Sequence, residues 1–280
     1  MTKWNLIVDV AECTNCNMCV LACQDEYVGN DWPGYSAEMP RHGHRWIDIQ
    51  RKERGQAPMV DVAFLPVMCQ HCDDMPCMKA AKDGAVRKRE DGIVIIDPVK
   101  AKGQRQIVDA CPYGAIWWNE EKQLPQIWTF DAHLLDQGWK EPRAAQSCPT
   151  GAIKALKTDD AAMAAKARAE GLQHLSPEHG TRPRVWYRNL YRFSDCFVGG
   201  SLATERNGVS DCVAGAKITL SQNEKMIGEA VSDAFGDFKI DRVPPHSGRY
   251  KVAITPPVGA TKTLDCEVAG DSLYLGTILV

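Results

Sequence analysis

The sequence has no excess of charge of either sign and no long apolar stretch. Its 280 residues include 33 Lys and Arg against 36 Asp and Glu, a net charge of −3. Without a basic excess there is little to attract phosphates, which disfavours a nucleic-acid-binding protein. No run approaches the roughly 18 apolar residues that span a bilayer. Asp9 interrupts the short apolar run near the N-terminus. We therefore expect no transmembrane segment, no export signal and a cytoplasmic location.

The sequence also lacks a recognisable catalytic constellation. No pattern of a general base, a nucleophile or an open metal position stands out, so we assign no catalytic residue. Cysteine, in contrast, is abundant, with 12 in the chain. Disulfide frameworks are typical of short secreted domains, so metal binding is the better interpretation of these cysteines.

The pattern of apolar and polar residues changes near residue 195. From there, short alternating runs are separated by Gly, Asp and Pro, which predicts a small antiparallel β-sandwich over residues 195–280. The runs are 217–221, 226–232, 235–240, 250–254, 263–268 and 274–279. Before the boundary, Thr158 as N-cap and Gly171 as the stop signal predict one helix. The aromatic-rich segment 185–193 is expected to pack against its own domain or to contact a partner through Trp186 and Tyr191.

An internal repeat of cysteines indicates the chemistry. Cys13, Cys16, Cys19 and Cys23 have the spacing of bacterial ferredoxins, in which the fourth cysteine reaches a different cluster. Three-cysteine motifs should then be matched by isolated cysteines elsewhere in the chain. The sequence contains a second triplet, Cys69, Cys72 and Cys77. It also contains two lone cysteines, Cys111 and Cys148, and a proline follows each of these two. Two triplets and two lone cysteines can form two complete four-cysteine sites.

One further cluster site has lost its ligands. Counting back from Cys111 by the ferredoxin spacing reaches Ala101, Gln104 and Ile107, and the fourth cysteine expected after Cys77 is Ala81. The surrounding scaffold is retained, because the turn at 90–92 predicts a hairpin between residues 85–89 and 93–97.

The whole chain resembles the iron–sulfur subunits of molybdopterin enzymes of the dimethyl-sulfoxide-reductase class. Within that class it resembles the small subunits of pyrogallol–phloroglucinol transhydroxylase and resorcinol hydroxylase. The motifs that carry the resemblance are DVAECTNCNMC, NDWPGY, GHRW, the Cys69 to Cys77 motif, DGIVIIDP, CPYGA, WNEE, AHLL and VWYRNLYRF.

The resemblance implies an α+β fold. A bacterial-ferredoxin-like polyferredoxin domain with degenerate cluster motifs would occupy residues 1–194, and a carboxypeptidase-regulatory-like (transthyretin-like) antiparallel β-sandwich residues 195–280. It also implies an electron-transfer subunit, bound to a large catalytic subunit that carries molybdenum and two molybdopterin guanine dinucleotides. That partner would act on a polyhydroxylated aromatic ring.

The resemblance further implies how the cysteines pair. One [4Fe–4S] cluster would bind Cys13, Cys16, Cys19 and Cys148, and a second would bind Cys69, Cys72, Cys77 and Cys111, although the crossed pairing is possible. In the family, Cys23 and three further cysteines hold a third cluster. Those three positions are Trp128, Asp131 and Ala144 here. One thiolate and one carboxylate cannot hold a cubane, so we expect two clusters.

Other interpretations remain open. Structural zinc is the alternative for the two triplets. Cys23 is interpreted as a vestigial thiol, Cys266 as core filler, Cys196 and Cys212 as thiols or a less favoured disulfide, and His71 as a residue that tunes a cluster potential. The complex could instead be a net oxidoreductase, such as a catechol dehydroxylase, that uses an external electron carrier. The chain could also be a free-standing ferredoxin-like carrier or a purely structural subunit.

Overall fold

The computed structural model describes the backbone of residues 1–280 and every side chain except that of Arg206. The chain divides into two compact units. The first unit comprises Met1–Gln50 and Phe64–Leu190, and the second comprises Arg51–Ala63 and Tyr191–Val280. This division differs from the one expected from sequence, which placed residues 51–63 in the first domain and the boundary after residue 194.

The first unit combines short helices with small sheets. Among the described residues, no helix has the length and apolar character needed to cross a membrane. In chain order the elements are β1 (Lys3–Asp9), α1 (Met18–Tyr27), β2 (Ile47–Gln56), β3 (Met59–Met68), α2 (Pro76–Ala80), β4 (Val86–Lys88), β5 (Val94–Ile96), α3 (Gln106–Asp109), β6 (Trp117–Asn119), β7 (Leu124–Gln126), α4 (Ala132–Asp136), α5 (Arg143–Gln146), β8 (Ile153–Thr158), α6 (Asp160–Glu170), a 3-10 helix (Pro177–His179) and β9 (Val185–Arg188). Strands β2 and β3 form a hairpin that extends into the second unit.

Strand β1 is the centre of a three-stranded sheet with the order β8-β1-β9. It pairs antiparallel with β8 and parallel with β9. Successive residues of a strand face opposite sides of the sheet. Leu6 is fully buried on one side, and Ile7 is buried on the other in a cluster with Met163 and Ala167 of α6. The run of apolar residues in β1 is therefore explained by burial on both faces of the sheet.

Helix α6 begins one residue later than the sequence predicts. Thr158 is the last residue of β8, and Asp159 is the N-cap, whose side chain accepts a hydrogen bond of 2.8 Å from the backbone N–H of Ala162. Gly171 ends the helix in a left-handed conformation (φ 62°), as predicted. The predicted hairpin is confirmed, because β4 and β5 pair antiparallel with Arg87 opposite Ile95.

The second unit consists of two sheets. One has the order β11-β10-β14 with β17 also paired to β10, and the other has the order β13-β12-β15-β16. The elements are α7 (Tyr191–Ser194), β10 (Cys196–Arg206), β11 (Val209–Cys212), β12 (Lys217–Gln222), β13 (Lys225–Val231), β14 (Asp237–Val243), β15 (Gly248–Thr255), β16 (Lys262–Val268) and β17 (Leu273–Leu279). Side chains of both sheets, such as Val198, Ile218 and Val252, share one buried core.

Two features of this unit differ from the sequence-based expectation. The pair β10 and β17 is parallel, so the two sheets are not purely antiparallel. The runs chosen from the sequence also omitted β10 and β11. Strand β10 contains Gly199 and Gly200, which break the regular alternation of apolar and polar residues by which the other strands were identified.

The tip of the β2–β3 hairpin is part of this second unit. Its Arg54 side chain is only 1% exposed and forms ion pairs with Asp61 (2.5 Å) and Asp241 of β14 (2.9 Å). Asp61 also pairs with Arg192 of α7 (2.7 Å). Gly55 has a positive φ of 84°, and a Cβ atom there would lie 2.5 Å from the ring of Phe197. The hairpin tip is therefore fixed by both charge pairing and close packing.

Candidate metal centres

The first set of thiols is formed by two segments that meet beside β1. Cys13 and Cys16 lie in the loop between β1 and α1, and Cys19 lies in the first turn of α1. Asn15 (φ 56°) and Asn17 both adopt the left-handed conformation. Because Asn tolerates this conformation better than most residues, the loop can turn between successive cysteines. Cys148 follows helix α5, which packs against α1.

The electrostatics of these thiols show that they are neighbours. Burial raises the pKa of Cys13, and the charges of Cys148 and Cys16 raise it further. Burial and the charges of Cys13, Cys148 and Cys16 together raise the pKa of Cys19 to about 12. The neighbouring thiolates therefore disfavour the ionisation of Cys13 and Cys19. A bound metal centre supplies positive charge that reverses this effect.

The second set lies where the chain leaves β3. Cys69 and Cys72 are in the loop after β3, Cys77 is in the short helix α2, and Cys111 follows α3. Burial raises the pKa of Cys69 well above its usual range, with further contributions from the charges of the other three thiols. Burial, Cys111 and Cys72 raise the pKa of Cys77 to about 12. One apolar cluster packs against all four cysteines.

Two cations that the sequence analysis did not single out hold the loop of the second set. Lys88 donates hydrogen bonds to the backbone carbonyls of His71 (2.9 Å) and Cys72 (2.6 Å), and pairs with Asp73 (2.6 Å). Arg184 binds both carboxylate oxygens of Asp73, at 2.9 and 2.6 Å. No motif spacing marks Lys88 or Arg184, because they reach the loop only through the fold.

His71 lies between two cysteines of the second set and is 2% exposed. Its Nδ1 atom accepts a hydrogen bond of 3.1 Å from the backbone N–H of Val94 and lies 3.9 Å from the Sγ atom of Cys69. Burial, assisted by the charge of Lys88, lowers the pKa of His71 to about 3. The imidazole is therefore neutral at physiological pH, and its proton resides on Nε2.

Two of the three positions expected to have lost third-cluster ligands, Trp128 and Asp131, are joined by hydrogen bonds. Asp131 is 1% exposed and accepts from the indole Nε1 of Trp128 (2.9 Å), the hydroxyl of Tyr27 (2.9 Å) and the backbone N–H of Arg143 (2.8 Å). Cys23 is buried nearby, and its pKa is raised by burial and by the charge of Asp131. The potential ligands here are one thiol and one carboxylate, and the carboxylate already accepts three hydrogen bonds. These two groups do not fit a cubane.

The other degenerate site is also filled by side chains. Ala101 and Ile107 are fully buried in the apolar cluster that packs against the second set. Ala81 is in contact with the same cluster. Gln104 accepts a hydrogen bond of 2.8 Å from the backbone N–H of Lys82 and donates to the carbonyl of Lys100, also at 2.8 Å. Apolar packing and the hydrogen bonds of Gln104 thus fill this position in the fold.

The remaining cysteines lie in the second unit and are free thiols: Cys196 is buried, Cys212 is exposed, and Cys266 packs partly against the core. Among the described residues, no three Cys, His, Asp or Glu side chains converge on a point that could hold one metal ion. A cubane is larger than one ion and binds a separate thiolate at each iron corner.

Comparisons with known proteins agree with these features. Residues 60–158 match the model of a family described as a 4Fe-4S dicluster domain. The chain is 45% identical to the pyrogallol hydroxytransferase small subunit of Pelobacter acidigallici, over 91% of each chain. It is 31% identical to a tetrathionate reductase subunit of Salmonella typhimurium, over 70% of this chain and 75% of that protein. It is also 31% identical to a putative dimethyl sulfoxide reductase iron-sulfur subunit of Halobacterium salinarum, over 68% and 80% of the two chains.

Proposed function

The chain belongs to the family of iron–sulfur subunits of dimethyl-sulfoxide-reductase-class molybdopterin enzymes, and on that basis we propose that it transfers electrons through two [4Fe–4S] clusters. The observation that supports this most directly is the grouping of eight thiols into two sets of four. Thiolates are soft donors that suit iron, and four of them hold one cubane. When bound, such clusters supply one-electron redox chemistry.

We assign the ligands by the electrostatic grouping of the thiols. The first set comprises Cys13, Cys16, Cys19 and Cys148, and the second comprises Cys69, Cys72, Cys77 and Cys111. Cys19 and Cys77 have raised pKa values, so cluster binding must displace their protons. Lys88 and Arg184 hold the second loop in place and bring positive charge close to its thiols.

We also propose the partner and the reaction class. Because a relative of nearly the same length is named as a hydroxytransferase small subunit, this chain would bind a large subunit containing molybdenum and two molybdopterin guanine dinucleotides. The complex would act on polyhydroxylated aromatics by transhydroxylation or hydroxylation. We place no catalytic residue on this chain.

We further propose that residues 1–194 have a ferredoxin-like fold and that residues 195–280 form a carboxypeptidase-regulatory-like sandwich that docks or stabilises the complex. A reducing compartment, the cytoplasm, suits a chain in which all twelve cysteines are free thiols.

A second candidate is a net oxidoreductase of the same family, such as a catechol dehydroxylase. Transhydroxylation is redox-neutral overall, whereas hydroxylation or dehydroxylation exchanges two electrons with an outside carrier. The purified complex should therefore turn over without an added electron acceptor or donor if it is a transhydroxylase. A strict requirement for such a carrier would favour the second candidate.

The decisive experiment is purification of the native complex, with measurement of iron, acid-labile sulfide, zinc and molybdenum. Cys111→Ser should remove one cluster, whereas Cys266→Ser, outside both sets, should retain both. Stoichiometric zinc without iron would contradict the cluster assignment. Protein isolated without a large partner would favour a free-standing carrier, and full activity of Cys111→Ser after loss of one cluster would favour a purely structural role.

A further inference from the structure

Trp128 and Asp131 lie next to α1, the helix that carries Cys19 of the first set. In α1, Cys23 follows the proposed ligand Cys19 by about one turn. The backbone N–H of Arg143, the first residue of α5, donates to Asp131 at 2.8 Å, and Cys148 follows α5. The hydroxyl of Tyr27, one further turn along α1, donates to Asp131 at 2.9 Å. Asp131 is thus linked to the first cluster site through α1.

On its other side, Trp128 lies beside His71 in the loop of the second set. The rings of Trp128 and His71 lie with centroids 6.1 Å apart, tilted by 62°. Phe130 lies 5.4 Å from His71 and 5.0 Å from Trp128, also by ring centroids. His71 itself is 3.9 Å from the Sγ atom of Cys69. The positions at which the sequence predicts a missing third cluster are therefore situated between the two retained thiol sets.

We propose that Asp131, Trp128 and His71 form a bridge through which electrons pass directly between the two cluster sites. This inference rests on the proposed function. One electron leaves the reduced site and arrives at the oxidised site, and the bridge forms and breaks no bond and transfers no proton. The potentials of iron–sulfur clusters are far too low to oxidise an indole. Trp128 therefore provides a packed path for tunnelling and is not itself oxidised.

The bridge is held rigidly in the interior. Trp128, Asp131 and His71 are each no more than 2% exposed. The indole Nε1 donates to Asp131 at 2.9 Å, and the backbone N–H of Val94 donates to His71 Nδ1 at 3.1 Å. Phe130 (φ 59°) and Asp131 (φ 51°) are both in the left-handed region, a strained conformation that persists only where surrounding contacts impose it. The chain thus maintains an unfavourable backbone that keeps these side chains in contact.

The test compares Trp128→Leu with Trp139→Leu in the full-length chain containing its clusters. Trp139 lies in the same unit, is 40% exposed, and is absent from the bridge. Flash photoreduction followed by rapid-freeze EPR would measure how fast electrons equilibrate between the two clusters. Trp128→Leu should slow this equilibration several-fold while both EPR signals and the iron content are retained, and Trp139→Leu should leave the rate unchanged.

Equal rates in the two variants, with both clusters present, would overturn the bridge. If Trp128→Leu fails to retain its clusters, Trp128→Phe decides the matter. It keeps a ring at this position but removes the hydrogen bond to Asp131, so it should slow the transfer by a smaller factor; an unchanged rate would overturn the proposal. A wild-type protein with only one cluster signal would instead refute the proposed function, so the two failures are distinguishable.

Discussion

Replacement of Asp131 by alanine should destabilise the buried hydrogen-bond network around Asp131. The substitution removes one acceptor that serves three donors: the Trp128 indole, the Tyr27 hydroxyl and the backbone N–H of Arg143. Tyr27 retains a partner, because its hydroxyl also lies 2.7 Å from Thr129 Oγ1. The other two donors lose the acceptor that Asp131 supplies.

The expected magnitude follows from those two donors. A buried donor without an acceptor costs about 1–3 kcal/mol, so the loss of the acceptor for two donors in Asp131→Ala should lower the local free energy of unfolding by about 2–6 kcal/mol. The lower part of this range is favoured because burial raises the pKa of Asp131, so that removing the carboxyl group also relieves some desolvation cost. Asp131→Asn retains one acceptor oxygen, but its side-chain NH2 group would face one of the hydrogen-bond donors that surround Asp131. This substitution should cost about 1–2 kcal/mol.

Hydrogen exchange of the cluster-containing protein, followed by mass spectrometry, would measure this effect. Peptides that cover α1 and residues 128–133 should exchange faster in Asp131→Ala than in the wild type, whereas peptides from the second unit should be unchanged. Asp25→Ala is the matched control, because Asp25 is 72% exposed and forms only a surface ion pair with Arg143, typically worth less than about 1 kcal/mol. Indistinguishable exchange in the two variants would refute the network as a stabilising element.

Three further substitutions test other parts of the structure. Burial acts to raise the pKa of Asp61, but hydrogen bonds from Arg54 and Arg192 lower it from 3.8 to about 2; Asp61→Asn should therefore cost the second unit about 1–2 kcal/mol at pH 7. This deficit should close as the pH falls from about 4 to about 2, where the wild-type carboxylate is protonated. Gly55→Ala should destabilise the hairpin tip by about 2 kcal/mol or more, because its Cβ atom would overlap the carbonyl oxygen of Met59. Lys88→Met should accelerate iron loss from the second set to a chelator, because two loop carbonyls lose their donor.

Each of these has an internal control. Hydrogen exchange of peptides from residues 191–280 reports on Asp61→Asn, and a deficit that persists at pH 2 would contradict the pKa argument. Gly208 also has a positive φ (75°) but open space around it, so Gly208→Ala measures the backbone strain alone; equal losses at both glycines would exclude the steric clash. Lys79 is 70% exposed, and Lys79→Met should leave iron retention at the wild-type level.

Short-range sequence patterns predicted several elements well. The alternating runs correspond closely to strands such as β12 (Lys217–Gln222) and β16 (Lys262–Val268). Alternation and turn residues are local properties, so they can be identified without knowledge of the fold. The hairpin of β4 and β5 was found for the same reason. The predicted start of α6 is one residue too early because Thr158 and Asp159 are both good N-cap residues. Only the pairing of Thr158 with Lys3 in the sheet decides between them.

Features that depend on distant partners could not be predicted. The sequence gives no sign that residues 51–63 belong with the second unit, because Arg54 finds Asp241 only after folding. Lys88 and Arg184 are ordinary surface residue types by composition, and only the fold places them at the second cysteine loop. For Asp131, the resemblance predicts a position without a cysteine ligand, but it could not predict the three hydrogen-bond donors, which come from separate segments.

The most direct test of the account is the number of cubanes in the purified chain and in Cys23→Ser. Iron analysis with Mössbauer and EPR spectroscopy should give about eight iron atoms in two [4Fe–4S] clusters for the wild type. Cys23→Ser should contain the same two clusters, because Cys23 lies beside Asp131 and outside both ligand sets. About twelve iron atoms in the wild type, reduced to eight or fewer in Cys23→Ser, would show a third cluster and contradict the account.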